Sequence, residues 1–310
     1  MRHVVMFSGG ISSWAAAHRV ADEHGTSNLK LLFADTYAED EDLYRFLEEA
    51  AAQIGAPLIR IADGRTPWQV FDEERYLGNA RVAPCSRRLK QIPCVRWLAQ
   101  HTDPADTVVH VGIDWSELHR LPAIERGYQP WRAHAPLCDP PWTSKDELLD
   151  QARACGLEPP RLYALGFPHN NCGGACFRGG QAAWAHLWRV FPDRYLDHER
   201  REQAFRNRLG KNVAILRERR GSTTQPLPLR QLRQRLENHA DAGATEDPDG
   251  QQADHDRLDW GGCGCLPVPD SSTRSESSSP TRIQPVTDRQ RSDDRRPRCT
   301  ARETEGDQQR

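Results

Sequence analysis

At 310 residues and a net charge of −2, the chain has room for one large domain with additions or two small ones, and it has no overall charge bias that would draw it to nucleic acid. Only four of its 42 basic residues are lysines (Lys30, Lys90, Lys145 and Lys211), an arginine bias that reflects a GC-rich coding sequence more than a binding surface. No apolar run is long enough to span a bilayer, and the first residues enter a strand rather than a signal peptide. The expectation is therefore a cytoplasmic protein with no membrane partner, its nine cysteines kept in a reducing compartment.

The apolar run Val4 to Phe7 breaks at Ser8-Gly9-Gly10 and resumes at Ala15, Ala16, Ala17 and Val20, which predicts a strand, a tight turn and a helix. Two glycines let backbone approach a ligand closely, and the hydroxyls of Ser8, Ser12 and Ser13 join the unpaired amides of the helix start as donors to an anion. The turn reads as a phosphate cradle, distinct from a Walker loop or a dinucleotide fingerprint. Leu29 to Phe33 predicts a second strand ending in Ala34-Asp35-Thr36. Leu43, Phe46, Leu47, Ala50 and Ile54 recur at helical spacing until Gly55, and Leu58 to Ile61 predicts a third strand. Residues 66–84 read as a loop with a partial helix, Leu89 to Gln100 as a helix, and Val108 to Val111 as a fourth strand with Gly112 at its end. Strand and helix alternating through short joins imply an α/β fold with a doubly wound, mostly parallel, Rossmann-like sheet. Ligands then lie beyond the carboxyl ends of the strands, where Ser8, Asp35 and the turn after Ala62 fall.

Beyond residue 121 the alternation weakens. A capping box of Ser144 and Glu147 opens one helix, residues 181–216 read as helical, and Leu227 to Leu236 as another helix. Past Asn238 aliphatic residues almost vanish, and the mean hydropathy of −0.78 fits a chain that is partly unfolded. The expected division is a nucleotide-binding domain over 1–178, a helical C-terminal extension over 179–237, a linker with a Cys-Gly-Cys segment over 238–269 and a disordered tail over 270–310.

Four later stretches carry chemistry. Cys85, Arg87, Arg88 and Lys90 open a helix, so the cations and the helix start should lower the thiol pKa of Cys85. Gly112 at a strand end precedes Glu117 and Arg120 at a spacing suited to nucleotide phosphates. Residues 136–146 and 162–176 complete the set.

In order, these stretches resemble the phosphoadenylyl-sulfate (PAPS) reductase family of the PP-loop, or adenine nucleotide α-hydrolase-like, superfamily. The residues that carry the resemblance are Ser8-Gly9-Gly10 with Ser13, Asp35-Thr36, Cys85 with Arg87, Leu89, Lys90 and Pro93, Gly112 with Glu117 and Arg120, Pro136-Leu137 with Trp142-Thr143, and Leu162-Tyr163 with Gly166 before a cysteine pair. The pattern also looks like the branch found in phages and near DNA sulfur-modification systems. The resemblance implies ATP or PAPS as nucleotide, with Ser8, Gly9, Gly10, Ser12 and Ser13 around the phosphates, Asp35 and Thr36 near the ribose or adenine, and Gly112 beside them. It also implies a catalytic set of Cys85, Arg87, Lys90, Glu117 and Arg120. Ser12 stands where ATP-using members usually have aspartate, and Gly262 to Leu266 only partly echoes the tail motif of sulfonucleotide reductases.

Cys172 with Cys176 and Cys263 with Cys265 are two close, glycine-flanked pairs, a thiolate set suited to zinc or an iron–sulfur cluster, with Cys85 and His169 as alternates. The expected function is sulfur or adenylate chemistry on an adenine nucleotide, by sulfonucleotide reduction or ATP-dependent sulfur transfer. Partners would then include a sulfur- or electron-donor protein and a nucleic-acid acceptor. The alternative is a non-catalytic nucleotide-binding subunit of a modification or defence complex with structural cysteines.

Overall fold

The computed structural model describes residues 1–241 and 282–284. Strands β1 (Arg2–Met6), β2 (Leu29–Asp35), β3 (Leu58–Ala62), β4 (Thr107–Val111) and β5 (Arg132–His134) form a parallel sheet in the order β5-β4-β1-β2-β3. Their alternating residues feed two cores. Val5, Phe7, Leu29, Leu31 and Phe33 pack against α1 (Ile11–His24), α2 (Glu41–Ile54) and α7 (Lys145–Ala154) on one face. Val4, Met6, Leu32 and Ala34 pack against α5 (Ile92–His101) and α6 (Leu121–Tyr128) on the other. Such two-sided burial is why these strands read as continuous apolar runs. The doubly wound sheet is thus as the sequence implies, with two additions: β5 and α6 lie in the stretch beyond 121 where the pattern fades.

Local chemistry sets several boundaries. Gly55 ends α2 at φ 77°, and the Ser144–Glu147 capping box opens α7. The helix predicted from Leu89 starts earlier, as a short turn α4 (Pro84–Ser86), then a π-helical turn (Arg87–Gln91), then α5. Pro93 lies just inside α5; having no N–H, it cannot close the ordinary helical bond, and the wider π turn before it accommodates the loss.

A third core joins α3 (Pro67–Glu74) to the C-terminal part. Trp68, Phe71 and Leu77 pack with Leu162, Phe167 and Phe177, and with Trp184, Tyr195 and Phe205 of α9 (Gln181–Val190) and α10 (Pro192–Leu209). Between the two stretches expected to be helical lies a hairpin, β6 (Leu216–Arg220) with β7 (Thr223–Leu227), before α11 (Leu229–Asp241). Leu216, Leu227 and Leu229 reach the same core, so burial at the two ends of a polar hairpin outweighs its weak strand pattern. Buried Glu202 accepts backbone N–H bonds from Ile215 (2.9 Å) and Leu229 (2.7 Å), fixing both ends of the hairpin. Burial pushes its carboxyl up to about 7. Glu202→Ala orphans two buried donors and should cost about 3 kcal/mol in chemical denaturation; a loss below about 1 kcal/mol would show that the N–H groups find other partners.

Within the stretch expected to be a disordered tail, Arg282–Gln284 forms β8, antiparallel to β3 with Ile283 opposite Ile61. This corrects the expectation for those three residues: the open edge of β3 offers unpaired backbone groups, and a strand can take them without an apolar core of its own. Cys263 and Cys265 lie outside the described residues.

Candidate functional site

The order β5-β4-β1-β2-β3 reverses direction between β1 and β4, so a crevice opens beyond their carboxyl ends. Ser8, Gly10, Ser12 and Ser13 line it from the β1–α1 turn, Gly112, Glu117 and Arg120 from the end of β4, and Lys145, Tyr163, His169, Asn170 and Asn171 from across. The turn has the predicted form, but its donors are used differently. The amide of Ile11 donates to the Tyr163 hydroxyl (3.0 Å), and Ser13 Oγ donates to the Gly10 carbonyl (2.7 Å), so neither is free for a ligand. The hydroxyls of Ser8 and Ser12 remain at the cleft.

The glycines divide their work. Gly9 sits at φ 78°, where a Cβ would lie 2.8 Å from Leu43 Cγ. Gly10 has ordinary extended backbone, and its missing side chain leaves room beside Tyr163 Oη and Ser8 Oγ. Gly112 lines the cleft, but a Cβ there would lie 2.7 to 2.9 Å from the Ser12–Ser13 backbone. Its absence lets the start of α1 pack onto the end of β4.

The far wall is a strap over residues 161–176, held at intervals. Arg161 and Arg194 both pair with buried Asp40, Asn170 Nδ2 donates to the Gly9 carbonyl (2.9 Å), and the Cys172 amide donates to Glu39 (2.6 Å). Lys145 Nζ donates to the Pro168 carbonyl (2.8 Å). Burial lowers the Lys145 pKa, with Asp114 working against it. Arg120 pairs with Glu117. The cleft therefore brings two cations, two free hydroxyls and a helix start onto one space, an arrangement suited to a multiply charged oxyanion.

The sequence-derived set does not converge as one group. Glu117 and Arg120 line this cleft, whereas Cys85 and Lys90 line a neighbouring cavity with Thr36, Asn171, Cys172 and Cys176. Arg87 lines neither. Asn171 belongs to both cavities, so they adjoin. Asp35 is fully buried and saturated: Oδ1 accepts from Tyr37 N and Tyr44 Oη, and Oδ2 takes the Arg60 guanidinium through two nitrogens. That gives it a structural role and leaves no oxygen for a ribose.

The expected activation of Cys85 is reversed. Burial, then the nearby Cys176, push its thiol up to about 12, and Lys90 only partly offsets this. Cys172 is likewise held protonated, by its hydrogen bond with Cys176 and by burial. Cations near in sequence cannot lower a thiol pKa once the fold removes water from it. Cys85 should accordingly react with iodoacetamide at pH 8 at least about tenfold more slowly than free cysteine, since each pKa unit removes about nine-tenths of the thiolate. Mass-spectrometric alkylation rates decide this, and a rate equal to free cysteine would contradict the burial. Among the described residues no group of three or more His, Cys, Asp or Glu side chains is arranged to hold a metal ion. The three thiols by themselves therefore do not fit a zinc or iron–sulfur centre, and His169 faces the oxyanion cleft rather than the thiols.

Lys145, Tyr163, Asn170 and Asn171 were not assigned as ligand-facing by their sequence, although each lies in a stretch noted for its motif. Only the closing of the strap over the loop identifies them.

Fold and site together define an α/β protein with a polar cleft, lined by Arg120 and Lys145, at the switch point of a doubly wound parallel sheet. No family model matches the chain, and no curated protein matches it. Among solved structures it is similar to phosphoadenylyl-sulfate (PAPS) reductase from Candida auris in a phosphate complex, with TM-score 0.40 and 15% identity over 54% of this chain and 79% of that one. It is also similar to NH3-dependent NAD synthetase from Campylobacter jejuni subsp. jejuni in complex with nitrate ion, with TM-score 0.37 and 14% identity over 79% of this chain and 88% of that one. Among the described residues no helix is long and apolar enough to cross a membrane.

Proposed function

We propose that the cleft binds an adenine nucleotide and that the protein carries out sulfur or adenylate chemistry on it. The observation that carries this reading is the convergence of the Ser8–Ser13 turn, Arg120 and Lys145 on one space at the switch point. The phosphate or sulfate end sits on Ser8, Gly10 and Ser12, opposite the two cations. The cations and loop donors stabilise negative charge that develops on phosphate or sulfate oxygens during reaction.

Sulfur chemistry is favoured by the cavity of Cys85, Cys172 and Cys176 that adjoins the cleft through Asn171. The thiols of Cys85 and Cys172 are held protonated in this arrangement, so attack by either needs water or a base to enter first. That observation, with Ser12 in place of an aspartate, favours as second reading a nucleotide-binding subunit without turnover. Calorimetric titration of the full chain with ATP and with PAPS, followed by assays for pyrophosphate from ATP and sulfite from PAPS, separates the readings. Binding with turnover of either nucleotide supports an enzyme; binding without turnover supports the subunit; no binding of either overturns both.

A further inference from the structure

We propose that His169 is a proton-linked ligand of the cleft, taking up one proton as an oxyanion settles between Arg120 and Lys145. The inference rests on the oxyanion reading of this site. His169 lines the cleft, and among the described residues its ring nitrogens have no hydrogen-bond partner. Its polar neighbours on the walls are tied down: Lys145 by the Pro168 carbonyl, Asn170 by the Gly9 carbonyl and Arg120 by Glu117. With Lys145, Arg120 and the Asn170 Nδ2 engaged, the groups left open to a ligand here are this imidazole, the buried Asn170 Oδ1 and the Ser8 and Ser12 hydroxyls, and of these the imidazole alone titrates near neutral pH.

The charges around it decide its state. With the cleft empty, burial and then the two cations, Lys145 and Arg120, hold the ring neutral at about 4, against the single opposing carboxylate of Asp114. Glu117, the other carboxylate on the cleft, is already paired with Arg120. A neutral imidazole presents one N–H and one lone pair, and the lone pair repels an oxyanion. A multiply charged anion between the cations reverses the local field, so the ring gains from protonation and becomes a donor at both nitrogens. The ligand class this selects is an oxyanion that stays fully ionised, such as a sulfate or sulfonate group, because it cannot supply the missing proton itself.

The test is isothermal calorimetry of the full chain with inorganic sulfate, which carries no proton near neutral pH, in two buffers of different ionisation heat at pH 6. ATP binding at pH 8 serves as the control for the site. The expected result is uptake of about one proton per sulfate at pH 6, and an affinity that falls about tenfold from pH 6 to pH 8. His169→Asn, which keeps a hydrogen-bonding group but cannot titrate, should abolish the proton uptake at pH 6 and flatten that dependence. ATP binding with no proton uptake on sulfate addition overturns the inference and leaves the nucleotide reading in place. Absence of binding by ATP and by PAPS overturns both. The buffer comparison on the unmodified chain decides the matter even if the variant does not fold.

Discussion

Gly10→Val is expected to lower ATP affinity by about 100-fold or more, near 3 kcal/mol, while the protein keeps its fold. Gly10 has φ −96° and ψ 161°, a conformation valine adopts readily, so the substitution adds no backbone strain. Its Cβ would lie 3.3 Å from Tyr163 Oη and 3.7 Å from Ser8 Oγ, so the branched side chain fills the space where the oxyanion must approach the turn. The same change at Gly9 is a poor probe, because φ 78° and the contact with Leu43 would damage the fold itself. Calorimetry for affinity and thermal melting for stability separate the two effects. Unchanged affinity would remove the turn from the binding site, and a melting temperature lowered by more than about 5 °C would show that Gly10 is structural.

The second large effect is loss of stability in acid, set by histidines buried in neutral form. His110 is almost fully buried in β4 between His3, whose Nδ1 lies 3.0 Å from its Nε2, and His134, whose Nδ1 lies 3.4 Å from its Nδ1. Burial, then His134 and His3, depress its pKa to about 3, and burial and His24 depress that of His3. His198 packs edge-on to Phe177 and Trp184 and tilted against Trp68, accepts from Trp68 Nε1, and is lowered by burial to about 4. Unfolding releases these rings to an ordinary pKa near 6.5, so the unfolded chain binds more protons below that pH. Their stabilising contribution is complete above pH 6.5 and is lost progressively as pH falls toward 3. His110 and His198 should each cost about 2 kcal/mol between pH 7 and pH 5, a large share of a domain's total stability. His110→Gln should remove about one such step from the curve of unfolding free energy against pH. Parallel curves for the two proteins would place the acid sensitivity elsewhere.

The sequence by itself determines the β1–turn–α1 unit and the breaks at Gly55 and Ser144, because each depends on contacts within a few residues of chain, and the parallel sheet is legible because strand and helix alternate through short joins. Residues 8–13 were recognisable as a phosphate turn for the same reason: strand, glycines and hydroxyls are contiguous, and the helix start supplies its own partial charge. What the sequence could not determine is which of its polar groups a ligand meets. Tyr163 takes the amide of Ile11 from 152 residues away, and Asn170 takes the Gly9 carbonyl from 161 residues away. Those bonds, and the placement of Lys145 and His169 opposite the turn, exist only once the strap closes. Protonation states are likewise tertiary. The cations beside Cys85 in sequence suggest a thiolate, but the fold surrounds that sulfur with apolar walls and a second thiol, and desolvation outweighs the charges. Asp35 ends the second strand where a ribose ligand was expected, yet Tyr37, Tyr44 and Arg60 fill its four acceptor positions. Local pattern fixes where backbone turns and which faces are apolar; desolvation and hydrogen-bond saturation depend on everything packed around a group, so only the assembled tertiary structure decides them.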